Sequence, residues 1–218
     1  MTKYGTDVLA AVAIIAIVLI GLAIWTDEGW LRVVLLTVAA FISIFSLNFF
    51  RDPDREIAAN GRPLDKLIVS PADGEIVSIA EDDEPEFLRS RVQRISIFMS
   101  PLDVHVNRSP ITGKVEFLRH IHGEFIVAHD SEAMRRNERT LIGLVNGTHK
   151  LLFAQVAGYI ARRIVCETKI GDTLHAGERF GMIKFGSRVD IYLPMDAKLL
   201  VNAGERVRAG ETVMAEFP

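Results

Sequence analysis

Apolar residues are concentrated at the start of the chain. Residues 8–25 read VLAAVAIIAIVLIGLAIW without a charge, the polar break Thr26-Asp-Glu-Gly29 follows, and residues 30–50 form a second apolar run interrupted only by Arg32. At 1.5 Å of rise per residue, a run of about 18 residues matches a hydrocarbon core of about 30 Å. Backbone amides in lipid must be paired within the segment, so both runs predict helices. Residues 1–50 are therefore expected to form a transmembrane helical hairpin. Trp25 and Trp30 flank the break, where amphipathic rings prefer the headgroup level. The break carries Asp27 and Glu28 but no Lys or Arg, whereas Lys3 precedes the first run and Arg51, Arg55, Arg62 and Lys66 follow the second. The positive-inside rule puts both ends, and the domain that follows, on the cytoplasmic side of the cell membrane. Arg32 is close enough to the opposite interface to snorkel outward, and it counts against that orientation. A signal peptide fits poorly, because no small-residue cleavage site is evident and a second apolar run follows at once.

From Arg51 onward the pattern changes. Short apolar runs alternate with Gly, Pro, Asn and Asp, which predicts strands separated by turns. The expected strands are 66–70, 75–79, 92–99, 113–119, 140–145, 149–156, 163–168, 179–184, 188–193 and 211–217. Asn146-Gly147 marks a hairpin between two of them. Helical patterning is weak, with short turns expected at 131–139 and 158–162, and the acidic stretch 82–86 reads as a solvated loop. One internal echo is present. Residues 169–178 and 202–211 share Gly-acid-x-apolar-x-Ala-Gly-Glu, in which two glycines bracket a short apolar step as at tight corners between strands. That cadence is found in lipoyl-like and barrel-sandwich domains. The fold class expected for 51–218 is mainly β, a compact barrel-sandwich domain with short helices.

Composition narrows the function. The 218 residues carry 25 Lys and Arg against 28 Asp and Glu, a net charge of −3 with no basic excess for nucleic acid. The single cysteine, Cys166, excludes an internal disulfide and a multi-cysteine metal site, and it reads as a small buried hydrophobe. His120 and His122 are two apart and can share a strand face, but no Cys or further His is near them, so no metal is expected without distant partners. His129, His149 and His175 read as surface or strand-end residues. No glycine-rich phosphate-binding motif is present.

Four segments can carry chemistry. Ser70-Pro-Ala-Asp-Gly74 has the residues of an ordinary β-turn. In Met99-Ser-Pro-Leu-Asp-Val-His-Val-Asn-Arg-Ser-Pro110, Asp103 and His105 are two apart, so an extended backbone sets a carboxylate beside an imidazole; a surface histidine in a loop is the plainer reading. Asn137-Glu-Arg139 is explained by a solvated helix end. Phe185-Gly-Ser-Arg-Val-Asp190 lies between two apolar strands, and Gly-Ser alone signals only a turn.

Six segments taken in order are more specific. Arg51-Asp-Pro-Asp-Arg55, Val69-Ser-Pro-Ala-Asp-Gly74, Phe98-Met-Ser-Pro-Leu-Asp-Val-His105, Asn137-Glu-Arg139, Val156-Ala-Gly-Tyr-Ile-Ala-Arg-Arg-Ile-Val165 and Phe185-Gly-Ser-Arg188 resemble phosphatidylserine decarboxylase proenzymes, in their short membrane-anchored form. The resemblance spans nearly all of 51–218. It implies a pyruvoyl-dependent carboxy-lyase that cuts itself between Gly186 and Ser187. The Ser187 hydroxyl would attack the Gly186 carbonyl to give an ester. Loss of the Ser187 α-proton, elimination and hydrolysis would then leave a β chain, 1–186, and an α chain, 187–218, that begins with the pyruvoyl group. That ketone would take the serine amine of phosphatidylserine as a Schiff base, and CO2 and phosphatidylethanolamine would be released. By the same resemblance Asp73 belongs to the self-cleavage machinery, and His105 is a proton donor or substrate-positioning group. Longer relatives carry His-x-x-His, and Arg108 stands here at the second histidine, so the base falls to His105 or else His129. Membrane phosphatidylserine is the implied partner, and a homo-oligomer is compatible with the sequence. The competing readings are a decarboxylase of an ether-linked serine lipid such as archaetidylserine and a non-catalytic membrane-anchored module. Arg51, Arg55 and Arg62 are placed to meet anionic headgroups or simply to fix topology.

Overall fold

A computed structural model describes residues 1–124, 136–158, 163–184 and 187–218, which divide into two units, Met1–Pro53 and Asp54–Pro218. The first unit is a pair of apolar helices, α1 (Thr6–Trp25) and α2 (Gly29–Phe49), long and apolar enough to cross a membrane. They pack together with Ala16, Ala23 and Ala39 buried, small residues that let two helices approach closely, while Ile17, Ile24, Phe41 and Ile44 face outward. Arg32 does not reach outward. Its Nε donates to the Ala23 carbonyl at 3.1 Å and its Nη2 to the Thr26 carbonyl at 2.8 Å. The last carbonyls of a helix have no partner within it, and the guanidinium supplies one inside the hairpin.

In the second unit the described residues form fourteen strands: β1 (Leu67–Val69), β2 (Gly74–Glu84), β3 (Ser90–Met99), β4 (Val106–Arg108), β5 (Gly113–Ile121), β6 (Arg139–Asn146), β7 (His149–Ala157), β8 (Arg163–Cys166), β9 (Thr173–Leu174), β10 (Arg179–Lys184), β11 (Ser187–Pro194), β12 (Lys198–Leu199), β13 (Arg206–Val207) and β14 (Val213–Glu216). The main sheet is antiparallel in the order β13-β2-β3-β11-β7-β6-β5-β9; two smaller sheets run β1-β14-β12 and β4-β10-β8. The core lies between the main sheet and the two smaller ones. Ile97, Ile142, Phe153 and Val189 meet Ile68 and Met214 from one small sheet and Phe180 and Ile183 from the other. Because side chains alternate along a strand, Val189, Ile191 and Leu193 of β11 enter this core, and Arg188, Asp190 and Tyr192 face the other way.

The glycine echo forms paired corners. Gly177 and Gly210 have φ of 79° and 68°, and a Cβ on Gly210 would stand 3.2 Å from the Cα of Gly177, so only glycine fits this approach. A second repeat accompanies it. Ser70-Pro-Ala-Asp-Gly74 and Ser109-Pro-Ile-Thr-Gly113 cross-bond reciprocally, Val69 N to the Pro110 carbonyl and Arg108 N to the Pro71 carbonyl, both at 2.9 Å. Gly210 N reaches the Ser70 carbonyl at 2.7 Å and Gly177 N the Ser109 carbonyl at 2.8 Å. Two like halves are thus joined about an approximate two-fold axis, as expected of a barrel-sandwich domain.

Several local expectations change. The acidic stretch is not all loop: Asp82, Asp83 and Glu84 end β2, where Arg94 Nε bonds Asp82 at 3.0 Å and the buried Glu84 carboxylate accepts from the amides of Glu86 and Phe87 at 2.8 and 2.9 Å. The β6–β7 turn lies one residue later than Asn146-Gly147 suggests, because Asn146 pairs with His149 and leaves Gly147-Thr148 as the loop, with Gly147 at φ 58°. The helical readings at 131–139 and 158–162 fall largely outside the described residues.

Candidate active site

Ser187 opens β11, the strand held between β3 and β7, and pairs with Met99 on one side and Ala157 on the other. It is fully buried on the core face, and its hydroxyl donates to Met99 Sδ at 3.3 Å, a weak acceptor that leaves the oxygen lone pairs available. Gly186 and His129 lie outside the described residues. Polar side chains continue from Met99. Asn107 Nδ2 reaches the same sulfur at 3.9 Å, and Gln155 Nε2 donates to Asn107 Oδ1 at 2.9 Å and to the Val165 carbonyl at 3.3 Å. A carbonyl only accepts, so the Gln155 nitrogen must face it, and the amide orientation is determined.

His105 is completely buried just before β4. Pairing of β4 with β10 sets Val106 opposite Met182, and Ile183 N reaches the His105 carbonyl at 3.4 Å, which brings His105 alongside the strand that leads to Ser187. Its Nδ1 lies 2.9 Å from the Asp103 backbone carbonyl. That contact requires the hydrogen on Nδ1 and leaves the lone pair on Nε2. The expected carboxylate–imidazole pair is not formed. The Asp103 side chain turns back to accept from Ser100 N at 2.8 Å and pairs with Arg206 at 2.9 Å, because 100–103 is a turn and strand alternation does not apply there.

Asp73 lies at the same end of the sheet. Glu75 and Arg188 both pair with Phe98, so β2, which follows Asp73, and β11, which Ser187 opens, are two strand spacings apart, roughly 10 Å. Asp73 Oδ2 pairs with Arg55 at 2.8 Å and Oδ1 accepts from Ala209 N at 2.8 Å. Arg55 also approaches Glu211 at 3.5 Å and has a side chain only 8% exposed, so it serves this buried pair and not a lipid headgroup. The Arg108 guanidinium bonds the Gly177 carbonyl at 3.1 Å, which ties it to the glycine corner. Nearby, Arg179 bonds Asp54 at 2.8 Å and holds that carboxyl below its ordinary range.

A second polar group escaped the sequence reading. On the opposite face of β11 from Ser187, Arg188 Nε bonds Asp190 at 2.6 Å and Arg188 Nη2 bonds Ser96 at 2.7 Å, with all three residues buried. The available signal was two opposite charges, Arg188 and Asp190, at alternate positions of a mostly apolar strand. Cys166 is only partly buried, packed against the core, and desolvation there pushes its thiol up to about 11.

Known proteins share this sequence along its length. The profile of the family described as phosphatidylserine decarboxylase matches residues 42–215. A protein named phosphatidylserine decarboxylase proenzyme from Chlorobium luteolum is 43% identical over 217 residues, the whole of both chains. One of the same name from Salinibacter ruber is 46% identical over 201 residues, covering 92% of this chain and 88% of its own. Another from Symbiobacterium thermophilum is 45% identical over 182 residues, 83% of each chain. The match runs through β10, the Ser187 strand and the Asp73 and His105 turns alike, and the chain belongs to the phosphatidylserine decarboxylase family.

Proposed function

We propose that this chain is a self-processing phosphatidylserine decarboxylase, which releases CO2 and phosphatidylethanolamine through a pyruvoyl group made from Ser187. One observation carries the reading: Ser187 heads a central strand, buried and bonded on both sides. A hydroxyl fixed beside the preceding peptide has the proximity that turns a slow intermolecular attack into an intramolecular one. Its oxygen adds to the Gly186 carbonyl and the amide nitrogen departs, giving an ester. Removal of the Ser187 α-proton expels the Gly186 carboxylate, and hydrolysis of the resulting enamine releases ammonia and leaves the ketone. The His105 Nε2 lone pair is the base proposed for that proton, and Asp73 is a positioning residue. When formed, the ketone supplies the electron sink for loss of CO2.

The fold suits a cut at this bond. Downstream of it, β11 lies inside the main sheet, β14 lies between β1 and β12, and β13 pairs with β2. An α chain of residues 187–218 would therefore stay in place through its ladders, with its first residue still between Met99 and Ala157. The two apolar helices support membrane attachment, where a diacyl lipid substrate resides. Lys3 before α1 and Arg51 and Arg62 after α2 support a cytoplasmic catalytic unit.

Denaturing mass spectrometry of active protein tests the reading. Two fragments are expected, the smaller beginning at position 187 with a carbonyl that hydrazine traps, and Ser187→Ala is expected to remain whole and inactive. An uncut chain in active material would overturn it.

A further inference from the structure

A second cluster of chemistry-bearing side chains stands at the β5–β6 end of the main sheet. His120 pairs with Thr140 and Ile121 with Arg139. His122 follows β5 and Glu138 precedes β6, so His120, His122, Glu138 and Thr140 fall on one face of the hairpin. The ligand atoms of His120, His122 and Glu138 all lie within 4.8 Å of one another. His120 Nε2 is 3.6 Å from Glu138 Oε1, and the two imidazoles meet edge to face with centroids 4.8 Å apart.

The surroundings favour a metal over a chance gathering. The Thr140 hydroxyl lies 3.0 Å from His120 Nδ1. A hydrogen donated from Nδ1 to that oxygen leaves the Nε2 lone pair directed at the cluster, the tautomer a metal ligand needs. Glu138 is held by its backbone, its N donating to the Glu124 carbonyl at 3.0 Å and its carbonyl accepting from Ala157 N at 2.9 Å. Two imidazole nitrogens and one carboxylate oxygen, with His120 41% exposed toward solvent, match the three-ligand, solvent-open arrangement that takes zinc or cobalt(II). We propose that His120, His122 and Glu138 bind one divalent transition-metal ion of the zinc class, with Thr140 orienting His120. It lies two strands from Ser187, since Ala157 N donates to the Glu138 carbonyl and Ala157 pairs with Ser187, and it shares no residue with the groups proposed for processing.

The test titrates untagged, metal-stripped full-length protein in detergent micelles with cobalt(II), then zinc. One equivalent of cobalt is expected to produce the intense visible absorption of a four-coordinate site, and zinc to displace it. His122→Ala is expected to abolish the band. Thr140→Val, which keeps all three ligands, is expected to weaken binding by roughly tenfold to a hundredfold, as lost outer-sphere support does elsewhere. Ser187→Ala is expected to bind as the wild type does, which separates this result from the fate of the decarboxylase reading. The absence of a saturable one-to-one band would overturn the proposal. So would a Thr140→Val variant that binds like wild type, since a loose surface chelate or a simple His120–Glu138 ion pair does not need the hydroxyl.

Discussion

Asp73 and Thr112 occupy equivalent positions in the two halves of the domain. Each stands fourth in a Ser-Pro-x-x-Gly turn, and each side-chain oxygen accepts from an alanine amide in a glycine corner, Asp73 from Ala209 at 2.8 Å and Thr112 from Ala176 at 3.0 Å. A neutral hydroxyl is therefore enough to close the corner. The carboxylate and its buried Arg55 partner are an addition, found only in the half that borders Ser187.

This comparison separates two roles for Asp73. Asp73→Asn keeps an acceptor for Ala209 N and removes the charge, whereas Thr112→Val removes only the corner bond of the other half. Thr112→Val is expected to lose about 1 kcal/mol of stability and to cleave normally. Asp73→Asn is expected to fold but to accumulate as the uncut chain. Gel analysis of cleavage beside thermal melts checks both, and normal cleavage of Asp73→Asn would reduce Asp73 to a corner residue.

What could be read from the sequence depended on how local its cause was. The two helices were legible because lipid demands long uninterrupted apolar runs, and β10 was legible at both ends because five of its six residues are buried. The end of β2 was hidden by its acidic residues, which are stable in a strand only because Arg91 and Arg94 lie across from them on β3. β4 was hidden because Val106-Asn-Arg108 is mostly polar yet fully enclosed. Ser187 was singled out only through family resemblance, since Gly-Ser alone reads as a turn. The Arg55–Asp73 pair and the approach of Glu138 to two histidines join residues distant in sequence, which spacing does not report.

The Arg188–Asp190 pair makes a stability prediction. Both side chains are buried, at 3% and 0% exposure. Removing one member strands the other charge, so Arg188→Leu is expected to cost about 3–5 kcal/mol in urea unfolding. The double variant Arg188→Leu with Asp190→Leu is expected to recover most of that loss, because no unpaired charge remains. Equal destabilisation by the single and double variants would show that the pair matters through packing instead.

Cys166 provides a check on the core beside β10. Its thiol is pushed up to about 11 by burial, so the thiolate at pH 8 should be scarcer by about two orders of magnitude than in an exposed cysteine. Alkylation by iodoacetamide is expected to be slow at pH 8, to rise through pH 10, and to become fast at pH 8 once urea unfolds the chain. Rapid labelling of the folded protein at pH 8 would contradict the packing of Cys166 against the core.

The proposed processing takes its base from His105 and not from His129. Arg108, at the position of the second histidine in longer relatives, bonds the Gly177 carbonyl and carries no lone pair to accept a proton. His105 does, on Nε2, because Nδ1 is committed to the Asp103 carbonyl. Asparagine at 105 keeps a donor for that carbonyl but removes the base. His105→Asn is therefore expected to stay at full length, while His129→Ala is expected to cleave to completion. The intact fraction at fixed times after synthesis, read by denaturing mass spectrometry, decides between them. Cleavage of His105→Asn together with an intact His129→Ala would move the proton transfer to His129 and leave His105 with substrate positioning alone.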